Sequence, residues 1–122
     1  MAFMFERLEV YQKGLDLADA ILTLTERPRR GLAFLANQAN RAAVSISTNL
    51  AEGNARQSKA DRAHFFRIAL GSTHECVPLL ELMRRRGMVD SLRHDALKQQ
   101  VETIAKMING LISGLERRAQ EK

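Results

Sequence analysis

Few residues of this chain have the types and spacing that catalysis or metal binding needs. A di-iron site in a helical protein uses Glu-x-x-His pairs, but no histidine here follows a glutamate by three residues, and Asp61-x-x-His64 is the nearest approach. The only cysteine, Cys76, lies on an apolar helical stripe, where a thiol behaves as a small hydrophobic side chain. No Gly-x-Ser-x-Gly, phosphate-loop or dinucleotide motif is present. We therefore expect no enzymatic activity, no metal site and no cofactor. We expect solvated positions for the histidines, which are His64, His74 and His94.

Basic side chains are the more informative polar residues. Residues 56–94 hold eight basic and four acidic side chains, a formal net charge of +4, whereas the whole chain carries +5. The surplus lies at the two ends of the third predicted helix. The first cluster adjoins a helix N-terminus, whose free N–H groups and positive dipole end favour a phosphate. The pattern predicts contacts with the phosphates of RNA or DNA that are weakly sequence-specific and weaken with salt. The residues are Arg56, Lys59 and Arg62, then Arg84, Arg85 and Arg86.

A second interpretation of these charges is open. Basic residues at a helix end suit the helix dipole and are often only solvated. The charge then serves solubility, and the chain is an interaction scaffold whose ligand is another protein. The six aromatic residues lie mostly on predicted core stripes, so stacking of single-stranded bases is not expected.

A polar face runs along the second predicted helix. Arg41, Ser45, Asn49 and Glu52 follow one another at steps of 4, 4 and 3 residues, which places them on one side of a helix. These residues either form a binding face or hydrogen-bond to a neighbouring helix, and the sequence favours the second interpretation.

The elements that position these residues are helices. The chain has 122 residues, 45% of them hydrophobic, with only seven glycines and two prolines, which excludes a disordered chain and a small β-sandwich or barrel. Apolar spacing predicts helices over about 5–27, 32–52, 58–86 and 90–116. Pro28 and Gly53 are expected to stop the first two, and Ser58 to cap the third. Short connections make this one all-α domain, 1–122, an antiparallel up-down-up-down four-helix bundle.

The expected cellular compartment rests on disulfide, signal-peptide and membrane-spanning features that the sequence lacks. A single cysteine allows no intrachain disulfide, the N-terminus has no signal-peptide core, and no apolar stretch approaches 18 residues. We expect a bacterial-type cytoplasmic protein that does not contact a membrane.

Several motifs together resemble a known family. They are Phe5-x-x-Leu8-x-Val10-Tyr11, the run Arg41 to Gly53 (RAAVSISTNLAEG), Arg56-x-Ser58-x-x-Asp61 and Phe66-x-x-Ala69-x-Gly71-Ser72-x-x-Glu75. The series resembles the four-helix-bundle proteins encoded in intervening sequences of bacterial 23S rRNA genes. That family is similar to the accessory variability determinant of diversity-generating retroelements. The positions that match are Arg41, Ser45, Asn49, Glu52, Gly53, Arg56, Ser58, Gly71, Ser72 and Glu75.

The resemblance implies a homopentamer with a basic surface and no known enzymatic activity. In the retroelement branch it implies nucleic-acid binding and a reverse transcriptase as partner. Ser47 stands where the family usually has proline, and Pro78 is unusual for it, which bears on local helix geometry. The residues also give an independent reason for an oligomer. The first and third predicted helices each carry two apolar stripes, so a monomer exposes apolar surface that head-to-tail contacts in a ring would cover.

Overall fold

The computed structural model describes residues 3–120, and that range contains helices and no strand. A 3₁₀ turn, Met4–Arg7, precedes α1 (Glu9–Leu24), α2 (Ala33–Ala55), α3 (Lys59–Arg85) and α4 (Ser91–Gln120). Each helix packs against its neighbours in the chain, and α1 also touches α4. The predicted all-α, antiparallel four-helix bundle is confirmed. No helix of the described range is both long and apolar enough to cross a membrane.

The first helix is shorter than the predicted 5–27. Leu8 is extended, with φ −73° and ψ 117°, and separates the 3₁₀ turn from α1. At the other end the Thr25 hydroxyl donates to the Ile21 carbonyl at 2.9 Å and bonds the Asn40 side chain at 2.8 Å. Thr25 thereby ties the end of α1 to α2. The chain then unwinds ahead of Pro28, because the residue before a proline disfavours helical geometry.

Gly53 does not stop α2, which continues to Ala55. The glycine is buried, and a Cβ built there would lie 2.8 Å from the ring of Phe66 on α3. The prediction of a C-terminal glycine was therefore wrong. Gly53 instead lets α2 and α3 approach closely near their shared connection.

The caps of α3 and α4 follow the sequence closely. The Ser58 hydroxyl accepts from the Asp61 backbone N–H at 3.1 Å, as predicted. Gly87 ends α3 with φ +75°, and the Met88 N–H donates to the Met83 carbonyl at 2.8 Å, which is a Schellman motif. Asp90 caps α4 through the Arg93 N–H at 2.8 Å. α3 continues through Pro78, and α4 extends past the predicted end at 116 to Gln120.

The core consists of apolar side chains that all four helices contribute. Four of the eight buried residues of the second helix are alanines, which bring its neighbours close. Ser47, which the resemblance singles out as a departure, is buried and donates to the Tyr11 carbonyl at 3.1 Å. Its hydroxyl fills the space beside Gly14, where a Cβ would lie 2.3 Å from that oxygen. Large, fully buried members of the core include Leu17, Ile21, Ile46, Leu50, Leu80, Met83, Ile104 and Ile108.

Candidate nucleic-acid interface

The two predicted basic clusters lie at opposite ends of the bundle. They flank α3, which has 27 residues and is therefore about 40 Å long. A single patch cannot contain both clusters. We call the end with the α2–α3 connection the opposite end, and the end with the α1–α2 and α3–α4 connections the arginine end.

At the opposite end, Arg56 is already engaged. Its guanidinium forms an ion pair with Glu52 at 3.0 Å, one helical turn away. The same group lies over the Phe65 ring, 4.8 Å from its centroid. Arg56 thus bridges α2 and α3, and its charge is partly neutralised.

Arg62 and Lys59 face other neighbours. Arg62 is half-buried and donates to the Asn54 carbonyl at 3.4 Å, while its Nε is buried and has no partner within the described residues. Lys59 lines a shallow depression towards α4, beside the 2.8 Å ion pair of Arg67 and Glu116. The structure therefore does not bring the three predicted residues together in one phosphate cradle.

The arginine end gathers more basic residues than the sequence clusters suggested. Arg29, in the α1–α2 connection, donates to the carbonyl of Arg86 at the end of α3. This contact joins two segments that are 57 residues apart. Four acidic residues accompany the arginines there: Glu26, Glu81, Asp90 and Asp95. The arginines of this end are Arg27, Arg29, Arg30, Arg84, Arg85, Arg86 and Arg93.

Sequence reasoning missed Arg27, Arg29, Arg30 and Arg93 as members of this group. Residues 1–55 are neutral when counted as a segment, which hid the three arginines of the α1–α2 connection. The topology of the bundle could have revealed these residues. In an up-down bundle the first and third connections lie at the same end.

Glu81 organises part of the arginine end. Its carboxylate accepts from Arg84 at 3.0 and 2.7 Å and from Arg85 at 2.8 Å. These hydrogen bonds lower the pKa of Glu81 from its usual 4.5 to about 2. Two arginines are thus held by one carboxylate. By contrast, Arg30, Arg86 and Arg93 form no ion pair within the described residues.

His94 corrects the expectation that the histidines are solvated. It is 7% exposed, with Nδ1 3.0 Å from Asp95 and Nε2 3.6 Å from Glu81. His64 and His74 are exposed, as expected.

The expectation that the aromatic residues lie mostly in the core is also wrong. Phe66 is the one buried aromatic side chain of the described residues. Phe34, in the first turn of α2 at the arginine end, is 76% exposed. Exposed aromatic rings beside basic residues are typical of surfaces that stack unpaired bases.

Catalytic chemistry has little support in this geometry. Cys76 is 1% exposed, and burial raises the pKa of its thiol to about 12. A thiol with that pKa is not a thiolate nucleophile at neutral pH. Within residues 3–120, no group of three or more His, Cys, Asp or Glu side chains converges as a metal site would require.

The motif residues on α2 and α3 form a seam between the helices. The hydroxyls of Ser45 and Ser72 are 2.8 Å apart, and the Asn49 amide donates to the Ser45 carbonyl at 2.8 Å and to its hydroxyl at 3.0 Å. The polar face thus hydrogen-bonds across to α3 through Ser45. Gly71 is exposed, and a Cβ there would meet nothing within 4 Å.

Comparison with known proteins relates the chain to a family and to solved structures. The family model described as 23S rRNA-intervening sequence protein matches residues 6–110. The fold resembles the crystal structure of a protein with unknown function from the S23 ribosomal protein family of Bacteroides thetaiotaomicron. That similarity has a TM-score of 0.78 and 25% identity, and it covers 84% of this chain and 97% of the other. No curated protein matches the chain.

Proposed function

This chain belongs to the 23S rRNA-intervening sequence protein family, and we propose that it is a non-enzymatic helical bundle that binds RNA or DNA through the arginine end. The observation that carries the proposal is the contact of Arg29 with the Arg86 carbonyl. It sets the basic α1–α2 connection beside the basic end of α3.

Affinity in this proposal comes from phosphates. Arg30, Arg86 and Arg93 are exposed and are not committed to a carboxylate of the described residues. Arginine binds phosphate in a bidentate manner and is always charged. Contacts of this kind position a protein on nucleic acid without reading bases, so binding is weakly sequence-specific.

A salt series tests the proposal. A structured RNA hairpin and a DNA duplex are each titrated with the protein at several salt concentrations. Binding at low salt that falls linearly on a log–log plot is the expected result, because each phosphate contact releases a counterion. Absence of binding to both probes even at low salt would refute the function.

The bundle is proposed to act as a homo-oligomer. An open groove of about 620 Å³ runs between α1 and α2. Leu15, Leu22 and Val44 line it, each about two-fifths exposed (40%, 42% and 41%). A contiguous apolar surface of this kind marks an interface, and head-to-tail contacts that close into a ring would cover it.

The family resemblance makes a pentamer the expected ring. Mass measurement in solution tests this, with Leu22→Glu as the disrupting variant and the exposed Thr23→Glu beside it as control. A multiple of the chain mass that only Leu22→Glu lowers supports the oligomer, and a monomeric wild-type protein contradicts it.

The same groove supports a second candidate function. Among the described residues, Asp16 and Asp19 are the charged ones that line it, which suits a basic helix of a protein partner. The chain would then be an interaction scaffold, for example an accessory subunit of a reverse transcriptase. Capture from native lysate with and without nuclease separates the two functions, because a protein partner survives the nuclease and a nucleic-acid bridge does not.

A further inference from the structure

A small polar cleft lies between α2 and α3, away from both ends of the bundle. Its volume is about 210 Å³, which is below the usual size of a pocket for a whole small-molecule ligand. The space suits one polar unit of a longer molecule. Its lining residues are Gln38, Arg41, Ala42, Ser45, Ser72 and Glu75.

The two charged side chains of this cleft come from different helices and are not paired. Arg41 on α2 and Glu75 on α3 are both exposed. Neither belongs to an ion pair or a side-chain hydrogen bond within the described residues. About three turns further along α2, Glu52 does pair with Arg56. The cleft therefore offers a cation and an anion, both free, to the same bound group.

The two serine hydroxyls that line the cleft leave one hydroxyl proton for a ligand. Ser45 and Ser72 share a single hydrogen bond of 2.8 Å, so one hydroxyl donates and the other accepts. The Asn49 amide also donates to Ser45. Each hydroxyl carries one proton, so the second proton has no acceptor among the described side chains. An acceptor oxygen placed in the cleft would take it.

We propose that this cleft binds one ribose–phosphate unit of RNA and makes the chain prefer RNA to DNA. The proposal rests on the proposed function, since it names which nucleic acid the protein selects. A ribose–phosphate unit supplies what the cleft lacks: anionic oxygens for Arg41 and the serine proton, and a 2′-hydroxyl that donates to Glu75.

Glu75 is the residue that discriminates between RNA and DNA. A carboxylate near a phosphodiester is repulsive for RNA and DNA alike. RNA offsets the repulsion because its 2′-hydroxyl donates to the carboxylate, and DNA has no such group. Selectivity thus arises from the repulsion between Glu75 and the phosphodiester, which only RNA offsets. Repulsion of this kind is a common way to reject a near-identical competitor. Arg41, in contrast, contacts a phosphate that both nucleic acids have.

The test measures affinity for three single-stranded probes of one sequence: RNA, DNA and 2′-O-methyl RNA, which keeps the ribose but loses the hydroxyl proton. Because a hydrogen bond to a charged group is worth roughly 1.5–3 kcal/mol, the wild-type protein is expected to prefer RNA to both others by about tenfold or more. Glu75→Ala is expected to bring all three affinities within about twofold, mainly by strengthening the DNA and 2′-O-methyl RNA complexes, because the repulsion from the carboxylate is gone. Arg41→Ala is expected to weaken all three probes together.

Glu102→Gln on α4, which is also exposed, is the matched control and is expected to leave the preference unchanged. Equal affinity of the wild-type protein for RNA and DNA overturns this proposal and leaves the proposed function standing. A preference that persists in Glu75→Ala, with an unchanged melting temperature, overturns it as well. Absence of binding to every single-stranded probe overturns this inference, and the salt series on the structured hairpin and the duplex then decides separately whether the proposed function stands.

Discussion

The two ends of α3 look alike in the sequence and differ in the folded chain. Each carries three predicted basic residues, yet at the opposite end two of those residues serve the packing of the bundle. Arg56 pairs with Glu52 and covers Phe65, and Arg62 contacts the last turn of α2. At the arginine end, the α1–α2 connection lies against the end of α3 and adds its own arginines.

This difference has a physical origin in the connections. The α2–α3 connection is three residues long, 56–58, so α2 and α3 meet closely, and polar groups near the turn find partners. The α1–α2 connection, 25–32, is longer and brings its own arginines to the end of α3. Basic residues that cluster in a sequence give a strongly positive surface only where the fold brings further basic residues beside them and carboxylates do not neutralise them.

The largest expected effect tests the claim that the opposite end is a packing site. Gly53→Val places new methyl groups against the Phe66 ring, where even a Cβ lies at 2.8 Å. Overpacking of this kind is expected to lower the free energy of unfolding by about 3 kcal/mol. Urea denaturation measures it.

Gly110→Val is the matched control, because a Cβ at Gly110 on α4 meets nothing within 4 Å. It is expected to change stability by less than about 0.5 kcal/mol. Equal losses in the two variants would show that the α2–α3 contact at Gly53 is not special.

The next prediction compares the two ends as binding surfaces. Arg30→Ala, Arg86→Ala and Arg93→Ala together are expected to weaken RNA binding about 30-fold at low salt and to reduce the log–log salt slope by about three, one per lost phosphate contact. Fluorescence anisotropy over a salt series measures both quantities.

The comparison variant replaces Arg56, Lys59 and Arg62 with alanine. It is expected to weaken binding less than about threefold, because two of these side chains are engaged within the bundle. A larger loss from this variant than from the arginine-end variant would reverse the comparison.

A smaller effect comes from releasing the paired arginines. Glu81→Gln removes the carboxylate that holds Arg84 and Arg85. Both guanidiniums become available to phosphates, and one negative charge leaves the arginine end, so RNA affinity at low salt is expected to rise about threefold. Glu102→Gln removes the same charge from the middle of α4 and is expected to have little effect. A fall in affinity on Glu81→Gln would mean that Glu81 positions the arginines rather than occupying them.

The smallest predicted effect is the acid sensitivity of the arginine end. The folded state lowers the pKa of Glu81 from 4.5 to about 2, through hydrogen bonds from Arg84 and Arg85. The ionised carboxylate therefore stabilises the fold fully above about pH 4.5, and that contribution is lost as the pH falls towards 2. The stability difference between wild type and Glu81→Gln is expected to shrink across this window. A constant difference from pH 5 to pH 2 would contradict the assignment.

Much of the fold was predictable because it depends on local rules. Helical apolar spacing gave four helices, and Ser58 was identified as a cap from its position before Asp61. Gly53 was misassigned because a glycine near a helix end signals either a stop or a close contact, and only the position of Phe66 decides between them.

The candidate interface was less predictable because it is a property of the tertiary structure. Arg56 and Arg62 look free in a sequence, but their partners, Phe65 and the Asn54 carbonyl, come from the far side of a turn. Arg29 looks neutralised within its segment and becomes part of a basic end only through its contact with Arg86. Burial of His94 likewise depends on α3 and α4 meeting at Glu81.

The most direct test of the arginine-end interface is an NMR titration of the ¹⁵N-labelled protein with a structured RNA hairpin at low salt. Backbone amides report which residues contact the RNA without any substitution. We expect the largest shifts at residues 29–34 and 84–93, smaller shifts at the cleft residues 38–45 and 72–75, and little change over residues 54–62. Shifts confined to residues 54–62, with the arginine end unchanged, would contradict it.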